Sequence, residues 1–288
     1  MPIFSAPAKL NLTLEVLARR PDGYHGLRSL MVPIDFCDEL SIEPAAATSF
    51  SCSIPELSEE NIVLRALRAL DPIPPRAIRL VKHIPVGGGL GGGSSDAAAV
   101  LRSAMTGALG DHGALPWMEL ARKLGSDVPF FLCGTGAFIE GTGERMTPVG
   151  HLPAWWSVVV HPPVSVATSE AYALLDRRRE EHPSETRPRD RSVSLNAVDA
   201  LQRADFPALL ATLSNDFHEP ILAKYPAIAQ AHVALEDASA QRALLSGSGS
   251  CVFTLCPNED AARRVATKLD PATGSVFVAP LRADGMWR

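Results

Sequence analysis

The chain has 288 residues, 46% of them hydrophobic, which is enough to bury a core in one large domain or two ordinary ones. A formal net charge of −5 excludes a protein whose main task is to neutralise nucleic-acid phosphates, so any phosphate chemistry has to be local. Five cysteines, Cys37, Cys52, Cys133, Cys251 and Cys256, form no CxxC pair and suggest neither a disulfide framework nor a thiolate metal site.

The segment Met1-Pro2-Ile3-Phe4 carries none of the basic and apolar stretches of a signal peptide, and no apolar run nears the roughly 20 residues a membrane span needs. The expectation is a soluble cytoplasmic protein without a membrane partner. From Lys9 to Val16 the residues alternate, with Leu10, Leu12, Leu14 and Val16 on one face and Lys9, Asn11, Thr13 and Glu15 on the other, as in a half-buried strand. Pro21-Asp22-Gly23 reads as a turn, Leu30–Phe36 and Glu39–Ile42 as further strands, and Asn61–Leu70 as a helix.

Ala77–Ile84 is a weaker strand pattern, followed by a glycine-rich loop and an alanine-rich helix over Ser95–Met105. Pro116–Leu124 starts on a proline and stops at Gly125, two helix-terminal signals, and Ser126-Asp127-Val128-Pro129 opens another helical turn. A strand at Ala137–Glu140 and a turn at Gly141-Thr142-Gly143 follow, and Trp155–His161 begins a second domain, with the boundary near Gly150. Asp176–Arg191 interleaves acids and bases with almost nothing apolar and reads as an exposed loop. Helices near Leu195–Arg203, Phe206–Ser214, Ala227–Ala240 and Asp260–Lys268 and a strand near Cys251–Leu255 complete the pattern, without an internal repeat.

The strongest chemical signal is Pro85-Val86-Gly87-Gly88-Gly89-Leu90-Gly91-Gly92-Gly93-Ser94-Ser95, with six glycines in seven positions between a strand and a helix. Glycine loses the most backbone entropy on folding, so such density needs a return. The return is close approach: without Cβ atoms, backbone N–H groups converge on phosphate oxygens, and the free N–H groups and dipole of the next helix add attraction. A flexible linker would not be bracketed so tightly by a strand and a helix. A Walker A loop is excluded because no lysine follows the glycines. A dinucleotide fold also wants an acidic residue on a second strand roughly 20 residues on. Here that region holds Asp111 and Glu119, in loop and helix.

Four further segments stand in order around this loop: Pro7-Ala8-Lys9-Leu10-Asn11-Leu12, Arg20-Pro21-Asp22-Gly23-Tyr24-His25, Leu124-Gly125-Ser126-Asp127-Val128-Pro129 and Leu245-Ser246-Gly247-Ser248-Gly249-Ser250-Cys251. With the loop they resemble the small-molecule kinase superfamily that includes galactokinase, homoserine kinase and mevalonate kinase. The glycine loop and the Ser246–Cys251 turn mark the superfamily, whereas Pro7–Leu12 and Pro21–His25 are most similar to the 4-diphosphocytidyl-2-C-methyl-D-erythritol kinases.

The resemblance implies an α+β fold of two domains, residues 1–150 binding nucleotide and carrying catalysis and residues 151–288 completing a cleft for the alcohol, a cytidyl diphosphate. It implies ATP held at Pro85–Ser95 and Mg²⁺ bridging the triphosphate, with Ser95 one possible ligand and the metal ligands otherwise unknown. Asp127 is implied as the general base and Lys9 as its partner, orienting the acceptor hydroxyl and offsetting phosphoryl charge. Without the resemblance, Asp127 reads equally as a helix cap and Lys9 as a solvated surface charge. Tyr24 is implied to stack on the cytosine, Asn11 and His25 to supply polar contacts, and Asn61 and Lys82 to lie near the adenine. A kinase for another small alcohol and a catalytically silent nucleotide-binding protein are the alternatives.

Overall fold

The computed structural model describes residues 2–21, 23–182 and 192–282. Its larger sheet is built on two long strands, β1 (Ile3–Arg19) and β2 (His25–Pro44), paired antiparallel. The two expected strands around Leu30–Phe36 and Glu39–Ile42 are one, because β2 absorbs the interruption as a bulge: Pro7 pairs with Cys37 and Ala8 with Ile34, leaving Asp35 and Phe36 extra. β4 (Arg76–Val81) joins β2 on its outer side, with β3 (Ser49–Cys52) parallel to it at the edge, and β5 (Ala137–Gly141) and β6 (Arg145–Pro148) extend β2 as a hairpin. The turn joining β1 to β2 is closed by Gly23 N donating to Arg20 O and Arg20 N donating to Tyr24 O; Asp22 lies outside the described residues.

The helices α1 (Ile62–Ala69), α2 (Gly92–Met105), α3 (Trp117–Leu124) and α4 (Val128–Cys133) pack together over this sheet. Their core includes Ala97 to Leu101, Phe130 and Phe131, all 0–1% exposed. Full burial of each large side chain contributes roughly 1.5–3 kcal/mol.

A second, four-stranded antiparallel sheet runs in the order β11 (Ser275–Pro280), β7 (Trp156–His161), β10 (Val252–Cys256), β9 (Leu244–Leu245). It packs against α9 (Pro226–Ser239) and α10 (Glu259–Ala266). Gly150 lies between β6 and β7, yet the chain returns across that point. α6 (Val193–Gln202) packs on β1 and β2, α7 (Phe206–Thr212) packs on α6, and β8 (Ser214–Asn215) pairs parallel to β1 through Thr13 and Leu14. α8 (His218–Lys224) then leads back to the second sheet.

Two expectations are corrected here. The polar face of β1 is not solvated: Lys9, Asn11, Thr13 and Glu15 are 0–8% exposed. A register shift between Asn11 and Thr13 interrupts the alternation, so that Lys9 and Asn11 line a cleft while Thr13 and Glu15 bond Ser194 and Ser192 at the start of α6. The charged stretch Asp176–Arg191 is not a loop throughout, since α5 (Thr168–Glu181) carries helix through its first six residues. A helix needs only a narrow buried stripe, which Ala171 and Leu175 provide, while Arg179 donates to Val16 O at 2.6 Å and to Asp216 at 3.1 Å. Residues 183–191 of that stretch lie outside the described residues.

Candidate active site

A cleft of 1610 Å³ is lined by β1, the β1–β2 turn, the glycine loop, the start of α4, α5 and the turn at Gly247–Gly249. The loop folds back on that last turn, which arrives from the second sheet. Cys251 N donates to Gly88 O at 3.0 Å and Ser246 Oγ to Gly89 O at 3.2 Å. Gly89 has φ +76°, and a Cβ there would stand 2.0 Å from Ser246 O, so contact between the two segments requires glycine.

Helix α2 begins at Gly92, three residues before the expected start at Ser95. Gly91, left-handed with φ 73°, occupies the cap position and supplies no side-chain cap, and Ser95 N donates to Gly91 O at 3.0 Å. The N–H groups of Gly92, Gly93 and Ser94 thus precede the first intrahelical bond, and all three residues line the cleft. This 14-residue helix directs its positive end at the cavity. Pro85, Val86, Gly87, Gly88, Gly89, Leu90 and Gly91 also line it; Ser95 instead is buried, 1% exposed.

Lys9 is held from both ends. Its backbone N–H donates to Leu90 O at 2.9 Å, tying β1 to the loop, and its Nζ donates to Asn11 Oδ1. Asn11 Nδ2 donates to Ser29 Oγ at 2.8 Å, and that hydroxyl donates to Thr13 O at 2.6 Å, so the lysine is seated on a buried polar relay. Burial lowers the Lys9 pKa from the ordinary lysine value, and the charge of Asp127 opposes the shift. Asp127 occupies the cap position of α4 but makes no side-chain cap bond, so the cap role that the sequence allowed is not the one its carboxylate performs. It lines the cleft, half-buried.

At the β1–β2 turn, Tyr24 is 68% exposed while the His25 side chain is 8% exposed. His25 Nδ1 donates to Leu17 O at 2.9 Å, Nε2 faces the Asp176 carboxylate at 3.3 Å, and the ring stacks on Tyr172 with centroids 5.3 Å apart. Tyr172 and Asp176 sit one turn apart on α5 and both line the cleft. Sequence reading missed them because the acidic and basic run obscured the helix.

Lys82 and Asn61 line the cleft, but their polar atoms are engaged. Asn61 Oδ1 caps α1 by accepting from Leu64 N at 2.9 Å, and its Nδ2 donates to Leu57 O. Lys82 Nζ is shared between Asp38 and Asp96, the latter at 2.7 Å, and Asp38 also accepts from Ile84 N at 2.8 Å. Burial lowers the Lys82 pKa, but the two carboxylates outweigh it and the net shift is upward. Burial raises the pKa of Asp96. Asp96 Oδ1 and Ser95 Oγ are buried oxygens without a hydrogen-bond partner among the described residues, where no cluster of acidic, histidine and cysteine ligands forms a ready metal site.

Comparison with known proteins decides the family. Residues 61–135 match the model of the GHMP kinases N terminal domain, and residues 197–276 match that of the GHMP kinases C terminal region. The 4-diphosphocytidyl-2-C-methyl-D-erythritol kinase of Symbiobacterium thermophilum is 38% identical over 94% of this chain and 96% of its own. The chain belongs to the 4-diphosphocytidyl-2-C-methyl-D-erythritol kinase family of GHMP kinases. The enzyme of the same name from Citrifermentans bemidjiense is 39% identical over 96% of this chain and 97% of its own. A crystal structure of a 4-(cytidine 5'-diphospho)-2C-methyl-D-erythritol kinase superposes with a TM-score of 0.81 at 36% identity, covering 97% of this chain and 99% of that one. L. major mevalonate kinase, 14% identical over 99% of this chain and 97% of its own, shares the fold with a TM-score of 0.71. The expected α+β kinase fold and family therefore hold, and this GHMP kinase is a small-molecule phosphotransferase. No helix among the described residues is long and apolar enough to cross a membrane.

Proposed function

We propose that the chain transfers the γ-phosphoryl group of ATP to the 2-hydroxyl of 4-diphosphocytidyl-2-C-methyl-D-erythritol, a step of the non-mevalonate route to isoprenoid precursors in the cytoplasm. The observation that carries this reading is the meeting, in one cleft, of the α2 amino terminus with a buried lysine that feels the charge of Asp127. Residues 1–150 supply the nucleotide cradle and the reacting groups, and residues 151–288 close the cleft.

In this reading Asp127 takes the proton of the 2-hydroxyl as its oxygen bonds to the γ-phosphorus and the bond to the bridging oxygen of ADP breaks. Lys9, fixed by Asn11, orients that hydroxyl and offsets negative charge as it redistributes over the phosphoryl oxygens. The unbonded N–H groups of Gly92, Gly93 and Ser94 bind phosphate oxygens at the helix end. Tyr24 offers an aromatic face to the cytosine, and His25 and Asn11 supply polar contacts near it. The unpartnered Ser95 Oγ and Asp96 Oδ1 are hard oxygen donors of the kind Mg²⁺ takes, and they fit a role in holding it near the first turn of α2. Held there, Mg²⁺ would supply positive charge that neutralises the phosphate oxygens.

Coupled ADP release with magnesium-ATP and the cytidyl alcohol tests the proposal, with homoserine, mevalonate and galactose run alongside. Turnover with the cytidyl compound alone is expected, and Asp127→Asn should lower kcat by about 10²–10⁴-fold with substrate binding retained. Turnover with another of the alcohols, or ATP binding without transfer, would overturn the assignment.

A further inference from the structure

Besides Asn11 on its own strand, the Lys9 ammonium meets a segment from a distant part of the chain. A Cβ placed on Gly247 would stand 3.1 Å from Lys9 Nζ and 3.5 Å from Asn11 Oδ1, so the Ser246–Gly249 turn forms the wall against which the lysine head rests. The turn itself is short and glycine-rich, with Gly247 at φ 57° and Gly249 at φ 94°. Something must hold such a segment in place, since glycine does not restrict its own backbone.

Beyond its bonds to the glycine loop, a side chain from β8 holds it. Asn215, 7% exposed, donates from Nδ2 to Leu245 O and to Gly247 O, both at 2.8 Å, and its Oδ1 accepts from Phe217 N at 2.9 Å. Two carbonyls accept and one N–H donates, so the orientation of the amide is fixed by its partners. Its own strand pairs with β1, Asn215 lying opposite Leu14, five residues from Lys9 on the same strand. The neighbouring side chains also serve as anchors. Asp216 accepts from Val16 N of β1 at 2.8 Å, and His218 Nδ1 accepts from Leu245 N at 3.3 Å.

We infer that Asn215 is a positioning residue for phosphoryl transfer: through its two bonds to the Ser246–Gly249 turn it sets the wall beside Lys9, linking strand and turn across the two sheets. The sequence segment Ser214–His218 is therefore a further element of the site, outside the glycine loop and the Ser246–Cys251 turn. The inference rests on the proposed role of Lys9. Its effect belongs at the reacting end, because the turn touches Lys9, whereas Tyr24 and His25 lie at the β1–β2 turn.

Asn215→Asp keeps the shape but replaces the donor of both bonds with an acceptor facing two carbonyls. Asn215→Ser keeps a single shorter donor. Both are compared with the unaltered chain in ADP release, with thermal unfolding of each variant measured in parallel and assays run well below the midpoint. If the unaltered chain fails to turn over the cytidyl alcohol, the functional reading falls on its own account and the variants are not needed to show it. Where it does turn over, each folded variant should lose about 10²-fold in kcat, the size of a small misplacement, while KM for the cytidyl alcohol stays within about threefold. A purely structural role would instead lower activity in step with the folded fraction. The inference is overturned if a folded variant keeps kcat within about threefold, or if KM for the cytidyl alcohol carries the loss. Should Asn215→Asp not fold, Asn215→Ser alone decides by the same two criteria.

Discussion

Lys9 sits where a charge is costly: 4% exposed, with burial pulling its pKa down and Asp127 alone among the carboxylates pushing back appreciably. A buried ammonium kept for chemistry contributes little to folding, and replacing it with an apolar chain of similar length is commonly neutral or stabilising. Lys9→Met is therefore expected to lower turnover by about 10³-fold or more while the unfolding midpoint falls by no more than about 2 °C. A larger fall in a thermal scan would make Lys9 a structural residue first. The alternation of β1 placed Lys9 and Asn11 on one face correctly but called that face solvated, because period-two patterning reports polarity and not what covers it. Likewise nothing local in Ser126–Pro129 distinguishes a capping aspartate from a free carboxylate, and only the absent cap bond does. Asn215, Tyr172 and Asp176 gave no local signal, since each acts through partners 30 to 151 residues away or along a helix that its charges disguised.

At the scale of elements, the glycine loop was the most legible part of the chain, because strand, glycines and alanine-rich helix follow one another without a gap. The start of α2 was misplaced because Gly92 and Gly93 are poor helix formers, yet the helix accepts them in its first turn, where N–H groups need no intrahelical partner and small residues leave them accessible. Left-handed glycines inside and outside the loop are not equivalent. Gly107 has φ +81° with nothing within 4 Å of an added Cβ, whereas Gly89 has φ +76° and meets the Ser246 carbonyl. Gly107→Ala thus carries only left-handed strain, roughly 1 kcal/mol. Gly89→Ala must also drive the loop off the Ser246–Cys251 turn, breaking the bonds that Cys251 N and Ser246 Oγ make to it. The expected outcome is a midpoint lowered by several degrees more than in Gly107→Ala, together with a rise of about tenfold or more in KM for ATP. Equal midpoints and an unchanged KM would show that the loop does not depend on that contact.

Over the whole molecule the packing runs through the expected division near Gly150. Leu10, Leu12, Leu30, Val32 and Ile34 of the first two strands share a core with Val159, Leu201, Leu213, Leu244 and Phe253 from beyond residue 150. β8 supplies a strand to the larger sheet, and near the end of the described chain Leu281 N donates to Trp155 O and Arg282 N to Pro33 O, at 2.8 and 2.9 Å. Sequence order conceals this return, because segments called as one domain or the other by their position carry no mark of which sheet they complete. A fragment ending at residue 150 would expose those five aliphatic side chains of β1 and β2, all 0% exposed in the intact chain. That loss is on the order of 10 kcal/mol, comparable to the entire stability of an ordinary domain. The intact chain is accordingly expected to unfold in urea as one transition, with far-ultraviolet circular dichroism and the fluorescence of its four tryptophans tracing the same midpoint and slope. The fragment 1–150 should show no cooperative transition. Two separated midpoints in the intact chain, or a folded fragment, would instead establish two independent folding units, and the cleft would then lie between bodies free to move against each other.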